Sequence, residues 1–308
     1  MEFIETVDLK RTFGDVVAVE DLNLRVREGE VFAFLGPNGA GKTTTVRMLT
    51  SLINPTSGEA YIAGNQVGRD PDSLNIRAMV GLLPETPGLY ERLSAYQNLD
   101  YYGRLYGVPD GTRQERIREL LELLGLWKRR DQGVATFSKG MKQKIAIVRA
   151  MVHDPAILFL DEPTAALDPS AAKTVRDFLR GLRGEGRTIF LNTHNLFEAE
   201  RIADRIGVVN TRLVAQGTAR ELSARYWKPA TVVRLAPNDA AVEAVEALDF
   251  VERVEAQDGE LLLSLDDPKN HNPAIVRAIV EAGGDIEYIM EKERSLEDVY
   301  LRLVGEEA

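Results

Sequence analysis

The chain has 308 residues, a formal net charge of −10 and no cysteine. That length allows two domains and a large core. The lack of thiols excludes disulfides and thiolate metal sites, and the acidic balance argues against a general nucleic-acid binder, which presents a basic surface.

The longest apolar runs, such as Val31 to Leu35 and Ala156 to Leu160, fall far short of the roughly 18 residues that a membrane span needs. The start, MEFIETVDLK, shows neither a basic nor an apolar leader segment. An acidic cytoplasmic protein is expected.

Residues 1 to about 30 alternate apolar and polar side chains, which predicts short strands joined by turns at Gly14-Asp15 and Glu28-Gly29. Val31 to Leu35 is continuously apolar, as expected of a strand buried on both faces of a parallel sheet. A glycine-rich turn and a helix from Gly41 to Leu52 follow, ended by Asn54-Pro55. Residues 58–84 read as short strands broken at Gly58, Gly64 and Gly68.

From Ser94 to Val152 the pattern turns helical. Ile117, Leu120, Leu121 and Leu124 form one apolar stripe, and Ser138 is a good N-cap for a helix carrying Ile145, Val148 and Val152. Strands return at Ala156 to Leu160, Thr188 to Asn192 and Ile206 to Val209, separated by helices, an α/β alternation. Beyond a boundary near Arg225 to Pro229, strands and helices in the order βαββαβ predict a ferredoxin-like α+β domain closed by a helix from Ser295 to Val304. The domains expected are 1–225 and 229–308.

Gly36-Pro37-Asn38-Gly39-Ala40-Gly41-Lys42-Thr43 fits G-x-x-x-x-G-K-[ST] between a buried strand and a helix. Its glycines let backbone N–H groups close around phosphate oxygens. Lys42 supplies charge to the β- and γ-phosphates, Thr43 a hydroxyl for Mg²⁺, and the helix start a favourable dipole. Kinases, GTPases and motor ATPases share this loop, so it does not name the reaction. In Ile157 to Glu162, a buried strand ends in two acids. Ligands of open α/β sheets lie beyond the carboxyl ends of strands. Asp161 is therefore placed to face the metal held by Thr43, and Glu162 to polarise an attacking water.

With these residues in place, the chain resembles the ATPase subunit of an ABC transporter over residues 1 to about 220. Phe13 resembles the aromatic that stacks on adenine, where Tyr is more usual. Phe137-Ser138-Lys139-Gly140-Met141 resembles the signature, commonly LSGGQ; Ala166-Leu167-Asp168 resembles the D-loop; and His194 resembles the switch histidine that contacts the γ-phosphate. The resemblance implies a P-loop NTPase core with an antiparallel β subdomain and a helical subdomain (about 90–152). It implies ATP cradled by Gly36 to Thr44 (Thr44 included), Mg²⁺ held by Thr43, Asp161 and Glu85, and catalysis by Glu162, His194 and Lys42. Ser138, Lys139 and Gly140 would face ATP bound by a second subunit in a head-to-tail homodimer, and Asp168 would join the nucleotide-binding residues.

Three positions depart from the family pattern. Glu85 stands where a glutamine is usual; a carboxylate still reaches Mg²⁺ but does not donate as an amide does. Met141 loses a polar contact, and Lys139 adds positive charge near the expected γ-phosphate. Glu85 with the SKGM-type signature and the tail Ser295 to Tyr300 resembles the ABC-2-type exporter branch, which includes drug and sodium efflux ATPases. That implies a separately encoded multi-span permease, no nucleic-acid partner, and a place on the inner face of the cell membrane. Tyr90, Leu93, Tyr101 and Tyr102 are divided between docking that permease and packing the core. The alternative is a soluble ABC ATPase acting on nucleic acid or ribosomes. Such proteins usually carry two modules or long insertions, and this chain shows neither. A P-loop kinase leaves the signature and Glu162 unexplained. The C-terminal part reads as a regulatory or dimer-stabilising module, and His153 and His271 as structural.

Overall fold

The computed structural model describes residues 2–165, 167–226, 229–236, 238–257, 259–292 and 295–305; Ala166 of the expected D-loop lies outside them. The chain divides into two compact units, Met1–Thr218 and Ala219–Ala308.

In the first unit, β1 (Glu2–Phe13) turns at Gly14-Asp15 into β2 (Val16–Leu22), and β3 (Arg25–Arg27) returns to pair with β1. After β4 (Val31–Leu35) and α1 (Lys42–Leu49), β5 (Ser57–Ile62) and β6 (Asn65–Gln66) complete an antiparallel sheet of order β2-β1-β5-β6. The expectation of strands throughout residues 58–84 is corrected here. α2 (Asp72–Met79) precedes β7 (Val80–Leu83), and it buries just Ser73 and Ile76. Two inward positions are too few to print a helical period.

The helical part comprises α3 (Ala95–Leu105), α4 (Asp110–Leu123) and α5 (Lys139–Met151). Ser94 starts α3 through a capping box with Gln97. Ile117, Leu120, Leu121 and Leu124 are buried in one cluster with Ile145, Val148 and Val152. Then come β8 (Ile157–Asp161), α6 (Pro169–Gly184), β9 (Thr188–Thr193), α7 (Leu196–Ile202), β10 (Arg205–Asn210) and β11 (Arg212–Gly217).

The central sheet runs β11-β10-β4-β9-β8-β7, parallel except for β11. Every residue of β4, β8 and β9 is buried. Phe32, Phe34, Phe159 and Phe190 face the antiparallel sheet and α1, while Leu158, Leu160, Ile189 and Leu191 face the helices. Both faces being covered explains the unbroken apolar runs. Register pairs Leu35 with Thr193 and Asp161 with Asn192, so the loops after β4, β8 and β9 leave one edge together.

The second unit opens with α8 (Ala219–Tyr226), upstream of the boundary expected near Arg225 to Pro229. β12 (Ala230–Leu235), α9 (Asp239–Glu246), β13 (Arg253–Gln257), β14 (Glu260–Ser264), α10 (Pro268–Glu281), β15 (Ile286–Glu291) and α11 (Leu296–Gly305) follow. The antiparallel order β13-β14-β12-β15 is that of a ferredoxin-like βαββαβ sheet.

Candidate active site

The loop after β4 leaves little room where it meets its surroundings. A β-carbon at Gly36 would lie 2.3 Å from the Val209 carbonyl oxygen. One at Gly41, where φ is +86°, would lie 2.1 Å from the Ala18 carbonyl oxygen. Gly39 also has φ +86° but opens onto free space. Asn38 and Gly39 are exposed, Ala40 is buried, and Thr43 and Thr44 are half-buried at the start of α1. Lys42 is buried, and its Nζ donates to the carbonyls of Gly36 (2.8 Å) and Pro37 (3.0 Å). Burial lowers the Lys42 pKa, and the carboxylates of Glu162, Asp161 and Glu85 oppose that shift.

Two acids leave the end of β8 in different directions. Asp161, 4% exposed, accepts from the Thr43 hydroxyl at 3.3 Å and from Asn192 Nδ2 at 2.6 Å. Burial raises its pKa; the negative charges of Glu162 and Glu85 add to the shift, and its two hydrogen bonds oppose it. Glu162 turns away through a left-handed φ of 49°. Its Oε1 accepts from the His194 backbone N–H at 2.8 Å and lies 2.6 Å from His194 Nδ1; Oε2 accepts from Thr193 Oγ1 at 3.3 Å. A carboxylate has no proton to give, so Nδ1 carries the hydrogen of that contact, and the rest of the ring is exposed. Glu85 is exposed and makes itself felt through its charge on Lys42 and Asp161.

Sequence reasoning missed Asn192 and Thr193, which orient the two acids. The signal was present: two polar residues ending an otherwise apolar strand. The Oδ1 of Asn192 is buried without a hydrogen-bond partner among the described residues. Also missed was Arg149, a buried guanidinium on α5. It donates to the carbonyls of Pro87 (2.5 Å) and Gly88 (2.9 Å), just after Glu85.

The remaining predicted residues have other local partners. Ser138 caps α5 by accepting from Met141 N at 3.3 Å, with Lys139 exposed beside it. Asp168 caps α6 by accepting from Ala171 N at 2.9 Å. A β-carbon at Gly140 would touch Ala171 at 3.3 Å, so the two helix starts adjoin. Among the described residues, no hydrogen bond or ion pair joins Ser138, Lys139 or Asp168 to the glycine loop. Phe13 stands at the surface at the end of β1. Tyr90 and Tyr101 are exposed and pack edge to face, whereas Tyr102 lies against the helical core. His153 stacks on Tyr106 and His271 on Phe250.

Known proteins resemble this chain in sequence and in fold. The ABC transporter family profile matches residues 19–165, and that of the ATP-binding protein DrrA1-3-like C-terminal domain matches residues 217–304. The daunorubicin resistance ATP-binding protein DrrA3 of Streptomyces coeruleorubidus is 38% identical over 98% of this chain and 96% of its own length. The Nod factor export ATP-binding protein I of Ralstonia nicotianae is 35% identical over 97% of this chain and 92% of its own. A solved dimeric ATP-binding cassette in a post-hydrolysis state with ADP and Pi is 26% identical, with a TM-score of 0.64 over 70% of this chain and 98% of that one.

Proposed function

Because the chain belongs to the family of ABC transporter ATP-binding subunits, we propose that it works as a pair of identical subunits that bind and hydrolyse ATP to drive a separately encoded ABC-2-type permease in export. The relatives concerned with daunorubicin resistance and Nod factor export match it over nearly their whole length. No helix among the described residues is long and apolar enough to cross a membrane. The path across the bilayer would then belong to the permease, with this subunit on the inner face of the cell membrane. Exposed Tyr90, five residues after Glu85, and Tyr101, which packs against it from α3, suit the docking of a permease segment.

The observation that carries this proposal is the convergence of the Lys42 loop, Thr43, Asp161, Glu162 and His194 on one sheet edge. Backbone N–H groups of residues 36–44 would cradle the phosphates, and Lys42 would exchange its two carbonyl partners for β- and γ-oxygens. Phe13 would support the base. Thr43, Asp161 and Glu85 are hard oxygen donors of the kind Mg²⁺ takes, and the orphaned Asn192 oxygen beside them suits a water of its hydration shell. Bound Mg²⁺ would supply charge neutralisation at the phosphate oxygens. Glu162, oriented by His194 and Thr193, would take a proton from the attacking water, with His194 Nε2 turned to the γ-phosphate. Ser138, Lys139, Gly140 and Asp168, which lie at the helix N-termini of α5 and α6, would complete the partner's site.

Co-expression with the products of adjacent genes tests the transport role. Co-isolation with a multi-span membrane protein that stimulates ATP turnover is expected. Failure to hold any such protein, together with salt-sensitive binding to RNA or DNA, would overturn it.

A further inference from the structure

The β1–β2 turn sits beside the glycine loop, because Gly41 packs directly against the Ala18 backbone. Val16 is two residues from Ala18, about 7 Å along the strand. It pairs across the turn with Phe13, and both side chains are exposed, at 66% and 46%. A nucleotide whose phosphates fill the loop would therefore carry its base within reach of this apolar pair.

Arg11 and Phe13 lie two apart on β1 and so share a face. The Arg11 guanidinium stands 4.5 Å from the centre of the Phe13 ring. Its Nη1 donates to the Asn54 carbonyl at 2.9 Å, and its Nε is buried without a partner among the described residues. Asn54 lies five residues past the end of α1, at the close of a turn in which Leu52 N and Ile53 N both donate to the Arg47 carbonyl. One guanidinium thus covers one ring face and ties the ring to the turn that follows the helix starting at Lys42.

We propose that Arg11 is a positioning residue for the nucleotide base: it fixes Phe13 at a set distance from the phosphate loop and leaves the opposite ring face to stack on the purine. A cation on one face also draws electron density from the ring, which favours stacking of an electron-rich base on the other. Phe13 has no hydroxyl to anchor it, so the orienting contact comes from Arg11. The inference rests on the reading of Phe13 as the base platform.

The test measures kcat and KM for MgATP, with magnesium tripolyphosphate, which lacks a base, as a competitive probe. Arg11→Met should raise KM for ATP roughly 3- to 10-fold, with kcat within about twofold and tripolyphosphate inhibition unchanged. Phe13→Ala should raise KM by roughly 10-fold or more, and the double variant should be no worse than Phe13→Ala alone. An Arg11→Met protein whose ATP KM stays normal while Phe13→Ala raises it would overturn the inference. So would equal shifts for ATP and tripolyphosphate, which would mark a structural role. A normal KM in Phe13→Ala would instead remove the platform on which the inference rests.

Discussion

Glu162 and His194 meet at a single oxygen: the backbone N–H and the ring Nδ1 of His194 both approach Glu162 Oε1, at 2.8 and 2.6 Å. The cost is a left-handed backbone at Glu162, held by its N–H donating to the Asn192 carbonyl at 2.9 Å. Oε2 accepts the longer Thr193 bond, at 3.3 Å, and is the oxygen better placed to receive a proton. Glu162→Gln should keep ATP binding and lose roughly 10²- to 10⁴-fold in turnover. His194→Ala, which leaves Thr193 as an anchor, should lose less. Phosphate release at saturating ATP measures both; near-normal turnover in Glu162→Gln would remove Glu162 from the role of base.

Asp161 should set the dependence on Mg²⁺. Asp161→Asn keeps the shape but removes the negative charge beside Thr43, so Mg²⁺ affinity should fall on the order of 10- to 100-fold. ATP binding in EDTA should change little. Calorimetric titration with and without Mg²⁺ separates the two, and equal losses in both would point to a misfolded loop.

The glycines of the loop should behave differently. Gly41→Ala meets both a positive φ and the Ala18 carbonyl, and should cost about 1–3 kcal/mol of stability along with nucleotide binding. Gly39→Ala has the same φ but open space, so its folding cost should be about 1 kcal/mol. Denaturant unfolding compares them; equal costs would mean that the Ala18 contact is not tight in solution.

His153 should steepen the acid side of the stability curve. Burial pushes its pKa below 6.5, its Nε2 lies 3.1 Å from the Val80 carbonyl, and Nδ1 is buried without a partner among the described residues. Below about pH 6.5 the unfolded chain takes up a proton that the folded ring refuses, so stability falls as pH drops and is fully present above. His153→Gln should lose that part of the slope. Melting temperatures from about pH 8 to about pH 5.5 read it, and an unchanged slope would mean that the ring titrates freely.

Much of the site was legible because its chemistry needs fixed local spacing. The glycine loop between a strand and a helix, and two acids ending an apolar strand, are short-range patterns. What was not legible is long-range. Asn192 meets Asp161 only through the register of β8 and β9, and Arg149 reaches Pro87 and Gly88 from a helix some sixty positions on. The helix Asp72–Met79 leaves no helical period in the sequence, because a single apolar residue, Ile76, is buried on it. Ser138 and Gly140 have sufficient local reasons, a helix cap and a close helix contact, and the role proposed for them toward a partner leaves no separate mark on a single chain.

That role is decided by the solution mass of Glu162→Gln with and without MgATP. If Ser138, Gly140 and Asp168 close the partner's site, the variant should double its mass on adding MgATP, and Ser138→Arg in the same background should keep it single while ATP still binds. A Glu162→Gln protein that holds ATP and stays a single chain would contradict the shared-site arrangement.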